Sequence, residues 1–207
     1  MTVPTPNDAW QRLVEGNARF LSGRPDHPHQ DAETRARLAT TQTPIATFFG
    51  CSDSRVPAEI VFDQGLGDLF VIRNAGHIVS DAAVASLEYG AAVLATPVLV
   101  VLAHDRCGAV GAAVEAESPD APPLPPLIAA HVASVRPAIE VVRRAHPDEP
   151  LDASDVIDVH LEATVAELLR ASELLSAAVA DGSLAVIGAR YRLAEGRVER
   201  RVAVGPA

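Results

Sequence analysis

Residues Pro97–Gly108 read PVLVVLAHDRCG. The run Pro97–Ala103 is apolar without interruption, and Val98, Val100 and Val101 make it rich in β-branched side chains. Short continuous runs of this kind are what strands covered on both faces look like. Working outward, three more occur: Ile45–Gly50 (IATFFG), Leu69–Arg73 (LFVIR) and Leu184–Gly188 (LAVIG). Helical patterns separate them. One begins near Ser80 and places Val84, Leu87, Ala91 and Leu94 on one face. A longer one runs from about Ser154 to Ala180 through Val156, Leu161, Val165, Leu168 and Leu175, and stops at Asp181-Gly182. Strands alternating with helices predict an α/β fold, a mostly parallel central sheet flanked by helices. Val198–Val204 is predicted as an edge strand.

Toward the N-terminus, Trp10, Leu13, Val14, Phe20 and Leu21 recur at helical spacing, predicting a helix over Asn7–Leu21 with Asn7 as its cap. A polar stretch, Ser22–Gln30, precedes a second helix expected over Asp31–Thr41. SPDAPPLPPL (Ser118–Leu127) reads as a loop between helices. A chain of 207 residues suits one domain, 1–207, with a helical arm over 1–41 and an α/β core over 42–207. The formal net charge of −10 disfavours nucleic acid and anionic membranes as partners. No apolar stretch is long enough for a membrane span, and the start, MTVPTPNDAWQRL, lacks a basic segment followed by an apolar run. A cytoplasmic protein is the expectation.

In open α/β sheets functional groups collect at the carboxyl ends of strands. Cys51 directly follows Gly50, and His104 directly follows Ala103. Two clusters therefore meet at one sheet edge: Cys51-Ser52-Asp53-Ser54-Arg55 and His104-Asp105-Arg106-Cys107-Gly108. Two thiolates and an imidazole suit zinc, and three protein ligands leave the fourth position to water. Two thiolates also cancel the zinc charge, so its water is acidified less than beside neutral imidazoles, and a nearby hydrogen-bond acceptor is needed. Asp53 stands two residues after Cys51, on the same side of an extended segment, with Arg55 two further on to clamp it. Blander readings exist for each residue. A cysteine is often a small buried hydrophobe, Asp53 could cap a helix, and Asp53–Arg55 could be a surface ion pair of little worth. A disulfide suits a reducing compartment poorly, and a thiol redox protein would normally carry C-x-x-C.

C-x-D-x-R followed some fifty positions later by H-x-x-C-G resembles the signature of β-class carbonic anhydrases. The similarity includes Gln42, Asp63–His77 (DQGLGDLFVIRNAGH), Ser86–Leu94 (SLEYGAAVL) and Leu184–Val198 (LAVIGARYRLAEGRV), and looks nearest to actinobacterial members. The resemblance implies reversible hydration of carbon dioxide to bicarbonate by zinc-bound hydroxide, with one zinc per chain on Cys51, His104 and Cys107. Asp53 and Arg55 would be the catalytic dyad, with Asp53 able to swing onto zinc as a fourth ligand in a closed state. Gln42 matches a residue that hydrogen-bonds substrate at the dimer interface. Phe70, Ala75 and Tyr89 match an apolar substrate pocket, and the Gly108 N–H matches a bicarbonate donor. The N-terminal arm would embrace a partner subunit in a homodimer or tetramer.

Some positions depart from the family pattern. Phe48 stands where one branch has a Trp that, with residues matching Arg73 and Tyr191, builds a regulatory bicarbonate pocket, so no such pocket is expected. Ala103 replaces the usual Gly before the ligand histidine, and Ala75 a larger apolar residue. His27, His29 and His77 qualify as proton shuttles by residue type alone. Competing functions are carbon disulfide hydrolysis on the same site, and a bicarbonate sensor or structural zinc module with Asp53 as permanent fourth ligand.

Overall fold

Strand β3 (Val98–His104) is the middle strand of the sheet in a computed structural model whose described residues are 4–206. Its neighbours are β1 (Ala46–Cys51) and β4 (Ala185–Tyr191), while β2 (Leu69–Asn74) and β5 (Val198–Val204) form the edges, in the order β2-β1-β3-β4-β5. β1, β2, β3 and β4 are parallel, and β5 returns antiparallel to β4. Every residue of β1, β3 and β4 is buried, the result expected for apolar strands covered on both faces. β2 is only half-buried along its length.

The strands run further than their apolar stretches. β1 ends at Cys51, β3 at His104 and β4 at Tyr191, because the backbone ladder continues past the last hydrophobic residue. Cys51 and His104 are thus the terminal residues of adjacent parallel strands. The chain passes from β1 outward to β2 and then back across to β3, so a crevice opens at the carboxyl end of β1.

The helices are α1 (Pro6–Leu21), α2 (Ala32–Leu38), α3 (Ala58–Val61), α4 (Asp81–Glu88), α5 (Gly108–Glu115), α6 (Pro126–Val132), α7 (Arg136–Ala145), α8 (Ala153–Ala171) and α9 (Glu173–Ala180). The cap of α1 is Thr5, not Asn7: its hydroxyl accepts from the Asp8 N–H at 3.2 Å, and Pro6 takes the first helical position, where a missing N–H costs nothing. Asp31 caps α2, which ends at Leu38 and not Thr41. The helix expected to begin near Ser80 is α4, capped by Ser80, and a π-helical turn, Tyr89–Val93, extends it. The Pro-rich loop ends at Pro125, and Pro126 opens α6.

The helix expected over Ser154–Ala180 is two helices. Ser172 is extended between them (φ −127°, ψ 109°). Its N–H closes α8 on the Leu168 carbonyl, and its hydroxyl accepts from the Leu175 N–H and donates to Glu88 at 2.6 Å. The serine hydroxyl substitutes for the backbone bonds of a continuous helix. Helix α7 carried no reading in the sequence; it buries Ala138, Ile139 and Val142. Among the described residues no helix is long and apolar enough to cross a membrane.

Helix α1 is tied to its own chain. Trp10 and Leu13 are buried, and the Asn17 side chain donates to the carbonyls of Val61 and Gly196, both at 2.9 Å, and accepts from the Val198 N–H at 3.0 Å. Val14 and Leu21 remain exposed. Replacing Asn17 by Ala strands three backbone groups, so urea unfolding should show a loss of about 1–3 kcal/mol; an unchanged midpoint would mean that these bonds do not hold the helix.

Candidate metal centre

Three elements deliver the three candidate ligands. Cys51 ends β1, His104 ends β3, and Cys107 caps the N-terminus of α5. The H-x-x-C turn reverses through Arg106, which adopts a left-handed φ of 53°. A thiolate at a helix N-terminus faces unpaired N–H groups and the positive end of the helix dipole, which favours its charge. The ligand atoms of Cys51, His104 and Cys107 all lie within 4.8 Å of one another, and all three residues are buried.

These residues fit zinc on several counts. The Cys51 and Cys107 sulfurs stand 3.9 Å apart; two Zn–S bonds of about 2.3 Å at a tetrahedral angle span roughly 3.8 Å. The His104 ring donates from Nδ1 to the Asp105 carbonyl at 2.9 Å, which leaves the Nε2 lone pair facing the sulfurs. Nε2 is buried without a hydrogen-bond partner, and an unpaired buried nitrogen is costly unless something else binds it. Asp105 is itself fixed, since its carboxylate accepts from the Leu193 N–H at 2.7 Å. The contact with Cys107, then His104 and the N–H groups of Gly76 and Asp53, pulls the Cys51 thiol downward against the opposing effect of burial. Cys107 moves upward, because it supplies the proton of that contact and is buried. Two buried sulfurs this close cannot both carry charge without something positive between them, and a cation there would meet two thiolates.

Asp53 and Arg55 pair as expected but by a different backbone. The segment turns at Ser54–Arg55 instead of staying extended. The Arg55 N–H and Nε both donate to Asp53 Oδ1 at 2.9 Å, and Nη2 donates to Oδ2 at 2.6 Å. Side-chain hydrogen bonding to Arg55 holds the Asp53 carboxyl well below the usual carboxylate range. Asp53 Oδ2 lies 3.9 Å from His104 Nε2, beside the point where the ligand atoms converge. Arg55 Nη2 also reaches the Arg106 carbonyl at 3.2 Å and so joins the two clusters.

The supporting roles of Arg73, Asn74 and Gly76 escaped the sequence reading, although all three lie in the quoted stretch Asp63–His77. Arg73 donates to the backbone carbonyls of Cys51 (2.8 Å) and Asp53 (2.6 Å) and pins the whole C-x-D segment. The Asn74 side chain brackets the following loop, donating to the Ile78 carbonyl and accepting from the Ile78 N–H. That loop aims the Gly76 N–H at Cys51 Sγ, 3.3 Å away. Gly76 has φ +79°, and a Cβ there would stand 2.9 Å from the Ala109 Cβ, so a side chain is excluded twice over. No motif marks these contacts, because each ends on a backbone group brought near by the fold.

The other expected site residues divide into two groups. Gln42 and Tyr89 line one groove, with the Phe70 ring 5.7 Å from that of Tyr89. Ala75 and Gly108 line another cavity, of about 490 Å3. Within one chain, then, Phe70, Ala75 and Tyr89 do not share a pocket. Phe48 is in the core against Phe62, and Tyr191 is buried at the end of β4. Of the shuttle candidates, His77 is fully buried with its ring tilted against that of His160, centroids 4.7 Å apart, and burial drives both rings toward neutrality. Sealed from solvent, His77 is not a route to bulk. His29 is engaged by Asp68 at 2.8 Å, and His27 is exposed beside it.

Comparison with known proteins places these features. The sequence profile of the carbonic anhydrase family matches residues 46–198. Carbonic anhydrase 2 of Mycobacterium tuberculosis is 45% identical over 206 residues, which cover 99% of this chain and 97% of that protein. A β-carbonic anhydrase of Coccomyxa, solved with acetazolamide, aligns with TM-score 0.73 and 26% identity over 93% of this chain and 86% of its own. A tetrameric β-carbonic anhydrase of Sordaria macrospora aligns with TM-score 0.74 and 22% identity, over 96% of this chain and 100% of its own. Replacing Cys107 by Ser removes one thiolate from the cluster, and metal analysis after dialysis should find the zinc lost; a stoichiometric, tightly held ion would overturn Cys107 as a ligand.

Proposed function

The chain belongs to the β-carbonic anhydrase family and is a carbonic anhydrase, and on that premise we propose that Cys51, His104 and Cys107 hold one zinc ion per chain while Asp53 and Arg55 orient the reaction of water with carbon dioxide. The convergence of two sulfurs and the unpaired His104 Nε2 in one buried cluster carries this reading. Zinc held there would acidify a water molecule and make it a nucleophile near neutral pH.

The chain's own groups do the rest. Asp53, kept ionised by Arg55, is an acceptor only. It takes the hydrogen bond of the reacting water and so turns an oxygen lone pair toward carbon dioxide. Arg55 makes three hydrogen bonds to that carboxylate, which keep it from turning to the metal. In this reading the pairing present here is the open arrangement, and Asp53 becomes a fourth ligand only when the pairing is lost. A permanently closed structural site would have no use for Arg55. The Gly108 N–H, next to Cys107, would meet product bicarbonate, and Ala75 would border the substrate.

Gln42, Phe70 and Tyr89 would then serve a neighbouring subunit. Gln42 and Tyr89 line a groove apart from Ala75 and Gly108, Phe70 packs on Tyr89, and Tyr89 and Leu66 are about half exposed there. A second copy seated there would bring them to its own zinc site and complete an apolar pocket. We therefore read the working unit as a homodimer or a tetramer of such dimers, with residues 1–41 as the arm across the partner and 42–207 as the core of one domain. A reducing cytoplasm would keep both cysteines available to zinc.

Stopped-flow hydration of carbon dioxide, with zinc measured in parallel, tests the reading. Turnover should rise across roughly pH 6.5 to 9, the range of zinc-water ionisation. Asp53 adds no limb there, because its depressed pKa leaves it ionised throughout; any stability from its pairing is present above the ordinary carboxylate range and is lost only as pH falls through the depressed value. Asp53→Ala should keep zinc and lose about 100-fold or more in turnover. Full zinc occupancy with no turnover at any pH in the unaltered protein would favour a closed or sensory site. Arg55→Ala should be inactive with zinc retained; wild-type turnover in that variant would remove the clamp from the mechanism.

A further inference from the structure

His131, on α6, lies outside every motif singled out by the sequence, yet two consecutive hydrogen bonds join it to the metal centre. Its Nε2 is 2.7 Å from the Ala75 carbonyl oxygen. A carbonyl only accepts, so Nε2 carries the proton. The same peptide group presents the Gly76 N–H, which donates to Cys51 Sγ at 3.3 Å. The order is imidazole N–H to carbonyl, then amide N–H to sulfur, across one planar, conjugated unit. Drawing electron density toward the carbonyl oxygen makes the amide N–H a better donor, and such chains strengthen each bond by roughly 10–30%.

The surroundings hold this path in place. His160 donates from Nε2 to the Gly76 carbonyl at 3.0 Å and supports the loop from the buried side. His131 and Ala75 line the cavity that also includes Gly108, and His131 is the one ionisable side chain among the residues lining it. No other ionisable side chain on that cavity competes for the Ala75 carbonyl.

We propose that His131 is a positioning residue which, through the Ala75–Gly76 peptide, sets how much negative charge Cys51 places on the metal, and thereby the acidity of the reacting water. This rests on Cys51 being a ligand. A stronger N–H···S bond draws charge from the sulfur, leaves the cation more electrophilic and favours ionisation of water at lower pH. Conversely, a sulfur without that bond is richer in electrons and gives them up to a metal more easily.

Cobalt(II)-substituted protein tests this without reference to turnover, because thiolate-to-cobalt charge-transfer bands report the electron richness of the sulfur. His131→Ala should move these bands to longer wavelength and raise the pH midpoint of hydration. His131→Gln, whose amide N–H has the same reach from the helix, should restore the band position. Bands unmoved in His131→Ala, or moved and not restored in His131→Gln, would overturn the proposal. Absence of thiolate bands in the unaltered protein would instead overturn the ligand assignment. Should the alanine variant not fold, 15N NMR of the His131 ring in the unaltered chain decides: the Nε2–H tautomer is expected, and an Nδ1–H tautomer overturns the path.

Discussion

Two sulfurs and an imidazole nitrogen sit within 4.8 Å of one another where little water reaches, and much of the structure answers to that constraint. Thiolates crowded this closely repel, and burial adds a desolvation penalty, so the arrangement is stable only with a proton or a cation between them. Parallel pairing of β1 and β3 brings two strand ends side by side, and the immediate start of α5 returns Cys107 to the same point. None of the three ligands depends on a long loop. The site therefore inherits the rigidity of the most buried part of the sheet.

Around this cluster, backbone N–H groups and carbonyls are used as fully as side chains. Cys51 Sγ accepts from Asp53 and Gly76, while Arg73 holds the carbonyls of Cys51 and Asp53. The Asp53 carboxylate is thus fixed at both ends, by Arg73 at its backbone and by Arg55 at its oxygens. A carboxylate so held needs no reorganisation when a proton donor arrives, which is the condition for effective electrostatic assistance. The buried pair His77–His160 plays a different part: His160 supports the Gly76 loop, and His77 packs against His160.

The separation of the expected substrate residues has a physical meaning. Gln42, Phe70 and Tyr89 belong to a face that leaves aromatic and aliphatic surface exposed, while Ala75 and Gly108 border the metal cluster of the same chain. Exposed apolar surface of this kind is what a partner would cover. In the proposed assembly each chain supplies metal and acceptor at one place and part of the apolar wall at another, so activity and association are linked.

Much of the site was legible in the sequence because it rests on local order. Cys51 and His104 follow apolar runs directly, Asp53 and Arg55 follow within a few residues, and strand-then-ligand spacing survives an error of one residue in the strand end. Even the wrong backbone for Asp53–Arg55, a turn in place of an extended segment, left the pair intact, since short-range geometry tolerates both. The break at Ser172 was not legible, because the serine's bond to Glu88 spans 84 residues of chain; α7, by contrast, carries Ala138, Ile139 and Val142 at helical spacing and was readable in the sequence. Arg73, Asn74 and His131 act on backbone groups distant in sequence, and nothing in residue type or spacing marks such contacts. The sequence by itself determined the candidate ligands and the parallel α/β frame, because periodicity and strand ends are local. Only the tertiary structure decided which side chains hold the candidate ligands in place and which apolar surface is left exposed, because those depend on distances that exist only after the chain has folded.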